Sequence, residues 1–184
     1  MSTTTPTVHR PLPGEVHGRA PREVGVRERS LLDRIIHTDT RVELTVARLG
    51  LGLVMLPHAL QKLFGWFGGG GLAGTHAGFV NHVGLSPVIA AIAMALEILG
   101  TFGLILGLFT RAAALAIIGV MLGAIFTVHL PNGFFMNFSG KQAGEGFEYH
   151  LLAIALGLVC LIAGGGRVSV DRAIEDRRHA PLAA

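Results

Sequence analysis

Four long apolar runs constrain this chain more than any other feature of its sequence. Each run is about 20 residues long, the length with which an α-helix crosses the hydrocarbon core of a bilayer, and they lie near residues 42–64, 86–108, 111–130 and 147–165. Only 15% of the residues are charged, and most of the charges are at the two ends of the chain. The sequence therefore predicts an all-α integral membrane protein, a four-transmembrane-helix bundle over residues 41–166.

The basic residues predict how these runs are oriented. Every arginine outside the first run lies before it, at the short link between the second and third runs, or after the fourth run. The opposite connections contain only Lys141, with Lys62 at a helix end. Cytoplasmic loops of membrane proteins are enriched in Lys and Arg, so we expect both termini in the cytoplasm.

The segments outside the bundle have a different character. Residues 1–40 are expected to form a disordered basic tail, because its first 30 residues are rich in Thr, Pro, Gly and Arg without periodicity. Within this tail, apolar residues of SLLDRIIHTD share one face over residues 31–38. That spacing predicts either a helix lying on the membrane surface or an extension of the first span.

Residues 167–184 are expected to form a basic cytoplasmic tail. The sequence GGGRVSVDRAIEDRR predicts that the fourth helix stops at glycines 164–166 and that a new helix follows. Ser169 or Asp171 would cap that helix, and Arg167 would contact lipid phosphates.

Composition excludes several functions. The net charge is +3, but no basic patch is interleaved with aromatic residues, so nucleic acid is not an expected partner. Cys160 is the only cysteine, which excludes an internal disulfide and a CxxC site. No HxH, HxxE or HExxH spacing predicts a metal site. The expected partner is the lipid bilayer, and two GxxxG motifs, at residues 103–107 and 119–123, favour close helix packing in a compact bundle. A homo-oligomer is left open.

Ionisable residues interrupt the apolar runs. Each costs about 2.5–3.5 kcal/mol at membrane depth, so each needs a partner or a polar cavity. Together they predict an intramembrane polar seam: Arg48, His58, Lys62, Glu97, His129, Glu148 and His150. Within this seam we expect an Arg48–Glu97 pair, because the long arginine side chain could reach the middle of the second span. Such a pair would either fix the packing or handle protons or a ligand.

The alternating helix directions bring part of this seam to one membrane face. His58 and Lys62 end the first span, His129 ends the third, and Glu148 and His150 begin the fourth. Titrating groups gather where protons or anions are handled, so these residues predict a functional pocket at the outer face. The other interpretation is a set of interfacial anchors.

The order and spacing of several motifs resemble the DoxX family of small bacterial membrane proteins. The motifs are RLGLGLVMLPHALQKLFGW, ALEILGTFGLILGLFTR, MLGAIFTVHLPNGFF, FEYHLL and GGGRVSVD, and they cover about residues 41–173. The last is similar to the family's GPGRxSLD, with Gly165 where the family commonly has proline. Matched position by position, the family's polar residues fall at Arg48, Lys62, Glu97, His129, Glu148, Arg167, Ser169 and Asp171.

The resemblance implies a bacterial inner-membrane protein. Some relatives are similar to the small subunit of a thiosulfate–quinone oxidoreductase. Others are implicated in an oxidoreductase complex with a superoxide dismutase and a sulfurtransferase. The leading hypothesis is therefore a redox subunit linked to the quinone pool, with a quinone as electron acceptor. The alternative is a non-catalytic scaffold or a small-solute carrier with an intramembrane polar seam.

Overall fold

The computed structural model describes residues 30–179. Of the basic tail that is expected to be disordered over residues 1–40, residues 1–29 lie outside this range. The described chain contains seven α-helices: α1 Leu31–Ile36, α2 Val42–Phe64, α3 Gly71–Asn81, α4 Pro87–Leu106, α5 Thr110–Ala124, α6 Glu148–Ala163 and α7 Val170–His179. A π-helical stretch, Ile125–His129, continues α5. It is followed by a 3₁₀ turn, Leu130–Asn132.

The four long helices α2, α4, α5 and α6 pack into one bundle. We call the end where α2 begins and α6 stops the tail end, and the opposite end, with the connections 65–86 and 130–147, the loop end. The shared core consists of apolar side chains from all four helices: Leu51, Met55, Leu104, Ala113, Ala114, Ile117, Met121, Ala153 and Cys160. This core occupies the middle of the bundle and the half towards the tail end.

The outer surface of the bundle is apolar. Large side chains such as Leu99, Phe126 and Ile162 have about 70% of their surface exposed. Three helical segments are long and apolar enough to cross a membrane, namely Val42–Phe64, Pro87–Leu106 and Thr110–Asn132, whereas α6 is a shorter apolar helix. Length and composition thus give three candidate spans, and the outward-facing apolar side chains fit contact with lipid.

Local sequence signals explain where α4 begins and ends. Ser86 followed by Pro87 predicts a capped helix start at this point of the sequence. The prediction is confirmed, because the Ser86 hydroxyl accepts a hydrogen bond from the backbone N–H of Ile89 at 3.3 Å and Pro87 is the first helical residue. The helix stops at Gly107, whose φ of 66° lies in the left-handed region. Only residues 107–109 then separate α4 from α5.

Short helices cover both ends of the bundle. At the loop end, α3 packs against α2 and α4. At the tail end, α1 packs against α7, with His37 Nδ1 2.8 Å from a Glu175 carboxylate oxygen and Arg178 3.3 Å from Asp33. Because α1 stops at Ile36 and α2 begins at Val42, the expectation that this segment extends the first span is wrong.

The two GxxxG motifs have different roles. A Cβ atom on Gly103 would lie 2.8 Å from the Cβ of Ala113, so this glycine lets α4 and α5 approach closely. Gly119 and Gly123 are exposed, and a Cβ atom on either would meet nothing within 4 Å. Only the first motif therefore serves the packing inside the bundle.

Candidate functional site

Arg48 is the largest fully buried side chain of the described residues, with 1% of its surface exposed. Its Nε donates to the carbonyl oxygen of Gly165 at 2.9 Å and Nη2 donates to that of Val168 at 2.6 Å. Its Nη1 donates to the carbonyls of Leu104 and Ile105, the latter at 2.7 Å. The Leu104 carbonyl otherwise accepts only from the N–H of Gly107, at 3.3 Å. Carbonyls in the last turn of a helix lack their regular helical partners, and the helix dipole favours a cation there. Arg48 thus ties α2 to the end of α4 and to the segment after α6.

The expected Arg48–Glu97 pair is wrong. Glu97 lies about 10 Å nearer the loop end of α4 than Leu104, at 1.5 Å per residue. The carbonyls of Leu104 and Ile105 instead lie at the depth of Arg48. A guanidinium has five donors in a planar fork, so several carbonyls can satisfy it without a carboxylate. The length of the arginine side chain shows how far it could reach, but the sequence does not show that these carbonyl acceptors lie nearer than Glu97.

Asp171 completes the contacts at the tail end. Its carboxylate accepts hydrogen bonds from the backbone N–H groups of Phe109 and Thr110, at 2.7 and 2.8 Å, so it caps the beginning of α5 from another helix. The Asp171 N–H in turn donates to the carbonyl of Gly107 at 2.9 Å. Asp171 is 1% exposed, and we call the group formed by it and Arg48 with their backbone partners the tail-end junction.

The other residues of the GGGRVSVD motif have separate roles. The Ser169 hydroxyl accepts from the N–H of Arg172 at 3.2 Å, which confirms the predicted cap of α7. The predicted stop of α6 is also confirmed, because Gly164 ends this helix with φ of 84°. Arg167 is exposed, in keeping with a position at a membrane surface.

Two buried threonines of the junction escaped the sequence analysis. The Thr38 hydroxyl accepts from the N–H of Gly166 at 2.8 Å, and the Thr45 hydroxyl accepts from that of Val168 at 3.2 Å. Thr45 lies one helical turn before Arg48, so a polar residue at this spacing was the available signal. Nothing in the sequence around Thr38 indicated its partner.

The partner of Glu97 is Lys62. Lys62 Nζ lies 2.7 Å from Glu97 Oε1, and the two side chains are 14% and 6% exposed. One turn after Glu97, the Thr101 hydroxyl is fully buried and finds no hydrogen-bond partner in the described part of the chain. The pair lies about 21 Å from Arg48 along α2, at 1.5 Å per residue. The predicted seam is therefore divided between two ends of the bundle.

His129 and His150 lie close together at the loop end. Their ring centroids are 4.1 Å apart, and we call them the histidine pair. His129 Nδ1 lies 2.8 Å from the carbonyl oxygen of Glu145, which can only accept, so this nitrogen carries the proton and Nε2 is the basic atom. His150 is 7% exposed, and its Nδ1 has no hydrogen-bond partner among residues 30–179.

The remaining members of the predicted pocket lie around these two pairs. His58 is exposed one turn before Lys62, and its carbonyl oxygen is 3.5 Å from Lys62 Nζ. Tyr149, which was not among the candidate residues, contacts the Sδ of Met55 at 3.7 Å. Its ring centroid is 5.8 Å from that of His150.

Glu148 serves the loop-end connection instead of the ion pair. Its Oε1 accepts from the N–H of Met136 at 2.9 Å, and its own N–H donates to the carbonyl of Phe134 at 2.9 Å. Glu145 accepts from the N–H of Asn137 at 2.6 Å in the same connection. These bonds order the segment that covers the histidine pair.

Thr101 lies below the ion pair in α4, and Tyr149 and the histidine pair lie nearer the loop end. Together with Lys62 and Glu97 they offer hydrogen-bond donors and a carboxylate. A quinone headgroup is one ligand that such groups could hold, since quinone oxygens need hydrogen-bond donors and, on reduction, protons. The buried Thr101 hydroxyl and His150 Nδ1 have unused hydrogen-bonding capacity, while Lys62 and Glu97 supply charge and a titratable carboxylate. A metal is less well matched, since residues 30–179 contain no group of three His, Cys, Asp or Glu side chains placed to hold one.

Comparison with known proteins gives one match. The family model described as DoxX matches residues 43–130, which contain α2 to the π-helical end of α5 and thus Arg48, Lys62, Glu97 and His129. Neither the curated proteins nor the solved structures give a match.

Proposed function

We propose that this chain, whose residues 43–130 match the DoxX family model, is a DoxX-like membrane subunit of a redox complex linked to the quinone pool. The complex would act in sulfur or oxidative-stress metabolism. The Lys62–Glu97 pair is the observation that carries this proposal, because two opposite charges are held at 2.7 Å inside an apolar bundle. Ionisable groups at membrane depth are expensive to keep and usually serve a function.

The arrangement suggests how the chain's own residues would act. Lys62 and the Thr101 hydroxyl would donate hydrogen bonds to a quinone headgroup, and Glu97 would hold or release a proton beside it. A bound quinone would supply the electron-accepting chemistry. The exposed apolar side chains that flank the bundle would contact its isoprenoid tail, as they contact lipid.

We further propose that the bundle crosses a bacterial inner membrane four times with its tail end in the cytoplasm. The arginines of the tail end support this orientation: Arg34, Arg41, Arg111, Arg167, Arg172, Arg177 and Arg178. The loop end offers Lys141 alone in its connections. The redox partners would be proteins of the kind that the family resemblance implies, a superoxide dismutase and a sulfurtransferase.

Quinone reduction in isolated membranes tests this function. Membranes that contain the protein should reduce a soluble quinone analogue faster than membranes from a strain without it, and Glu97→Gln should remove the difference because glutamine cannot titrate. Glu43→Gln is the matched control, since Glu43 is exposed at the start of α2, at the opposite end of the bundle from the histidine pair. Equal rates with and without the protein would contradict the proposal.

The second candidate is a non-catalytic scaffold or a small-solute carrier. The tail-end junction favours the scaffold, because Arg48 and Asp171 use their charges on backbone groups and thereby fix helix positions. Under this function, Glu97→Gln would change the amount of partner protein bound to the membrane without changing quinone reduction.

A further inference from the structure

We propose that the Lys62–Glu97 pair exchanges protons with the water at the loop end, through His150 and His129, and that the tail end is closed to them. The inference rests on the proposed function in one respect, since it gives the route of the protons that such a site would handle. It concerns proton access alone, so it can be tested without any redox activity.

The tail end is closed by packing and by hydrogen bonds. Leu51, Leu104 and Ile117 are at most 2% exposed and lie between the ion pair and the tail end. Below them, the donors of Arg48 are held by four backbone carbonyls. A proton carrier needs a group that can bind and release a proton, and an always-charged arginine that donates four hydrogen bonds to carbonyls is a poor one.

The loop end offers titratable groups in sequence. His150 is buried, and its Nδ1 is free of any hydrogen bond from residues 30–179. Its ring contacts that of His129, which is partly exposed and whose Nε2 is the basic atom. An imidazole can bind a proton at one ring nitrogen and release one from the other, so this pair could pass a proton from water into the bundle.

Other groups lie near His150 and the ion pair. On α6 itself, the Tyr149 ring centroid lies 5.8 Å from that of His150, and the Tyr149 hydroxyl reaches the Sδ of Met55 on α2. Also on α2, His58 precedes Lys62 by one turn, with its carbonyl oxygen 3.5 Å from Lys62 Nζ. From α5, His129 faces His150. Helices α2, α5 and α6 thus each contribute a side chain that can carry a proton at this end of the bundle.

The step is a proton transfer without change of oxidation state. A proton from the loop-end water binds Nε2 of His129 and moves to the free Nδ1 of His150. The Nε2–H bond of the His150 imidazolium then breaks as the Tyr149 hydroxyl accepts this proton and gives its own proton to the Glu97 carboxylate. His150 returns to its neutral form, Glu97 becomes neutral, and Lys62 keeps its charge.

The experiment follows the Glu97 carboxyl by infrared spectroscopy in sealed proteoliposomes. The full-length protein is reconstituted, and vesicles of one orientation are selected by protease clipping at the tail end. Buffer is then acidified on one side only, and the band of a protonated carboxyl is recorded. Glu97→Gln, which lacks this band, identifies its position.

We expect the band to rise when the loop-end side is acidified and to stay unchanged when only the tail-end side is. In His150→Phe the band should not rise within the time that it takes to rise in the wild type. His82→Phe, at an exposed histidine of the loop end, should respond as the wild type does. Gel filtration shows whether each variant is folded. If His150→Phe does not fold, His129→Phe tests the same route.

Three results would overturn the inference: a band that follows the tail-end buffer, a band that responds to neither side, or a wild-type response in the folded histidine variants. The proposed function fails separately. Absence of quinone reduction together with a loop-end response of Glu97 would refute the redox role and leave the proton route standing.

Discussion

At the scale of single residues, the bundle contains two kinds of buried charge. Arg48 donates hydrogen bonds to carbonyls at the end of α4, and Asp171 accepts from N–H groups at the start of α5. Both charges thus bind backbone groups at helix ends, where regular helical hydrogen bonds are missing. Lys62 and Glu97 bind each other. Removing one charge therefore has a different consequence in the two places.

The ion pair predicts non-additive effects on stability. Glu97→Gln and Lys62→Met should each lower the free energy of unfolding, by about 3–5 kcal/mol where the remaining charge stays buried. The double variant should recover most of that loss, because no charge remains unpaired. Unfolding in detergent measures all three.

An exposed pair supplies the control. Asp176→Asn breaks the Arg172–Asp176 contact of 2.7 Å on the surface of α7, and it should cost no more than about 1 kcal/mol. If the losses of the two single variants at Lys62 and Glu97 simply add in the double variant, the side chains do not depend on each other.

At the scale of helices and their connections, the tail-end junction is built around glycines. Gly107 and Gly166 have φ values of 66° and 78°. A Cβ atom on Gly107 would lie 2.5 Å from the Cβ of Ser169, and one on Gly166 would lie 2.5 Å from the backbone N of Thr45. Both the left-handed backbone and the close approach of neighbouring segments require glycine there.

Alanine at these positions should therefore destabilise the bundle. Gly166→Ala combines backbone strain with a clash against backbone, and we expect a loss of about 1–3 kcal/mol or more. Gly119→Ala is the matched control, because its Cβ meets nothing and alanine is the better helix former by up to about 1 kcal/mol. Thermal unfolding of the two variants compares them, and equal stability would contradict this account of the junction.

The same elements show how much the sequence could predict. The caps at Ser86 and Ser169 and the stop at Gly164 were predicted, because each depends on residues within a few positions. The partners of Arg48 were not predicted, because they depend on how the end of α4 and the segment after α6 meet α2 in the folded bundle. Lys62 was recognised as a candidate, but helical periodicity cannot tell which of two buried cations meets Glu97.

At the scale of the whole molecule, the two ends of the bundle have different surfaces. The tail end presents arginines on α1, α7 and the first turn of α5. Helices α1 and α7 are joined there by the Arg178–Asp33 ion pair and by the contact of His37 with Glu175. The loop end presents α3 and a connection rich in glycine, asparagine and phenylalanine. A membrane protein with such an asymmetry has one preferred orientation.

Thiol labelling should show this orientation. In a Cys160→Ala background, Lys141→Cys should react with a membrane-impermeant thiol reagent added outside intact cells, and Arg167→Cys should react only after the membrane is opened. Both parent residues are exposed, so the two thiols differ only in the side that they face. The reverse pattern would invert the assignment of every site to a membrane face.

The cap that Asp171 provides for α5 also orders events in time. The N–H groups that it binds precede it by 61 and 62 positions, so the ribosome completes the α4–α5 hairpin well before it adds the residue that closes the start of α5. Arg48 likewise leaves the ribosome long before its acceptors at Gly165 and Val168. A nascent chain thus carries unfinished contacts at its tail end until translation has passed α6. A quality-control protease that recognises these unfinished tail-end contacts would therefore degrade prematurely terminated chains and leave the full-length protein intact.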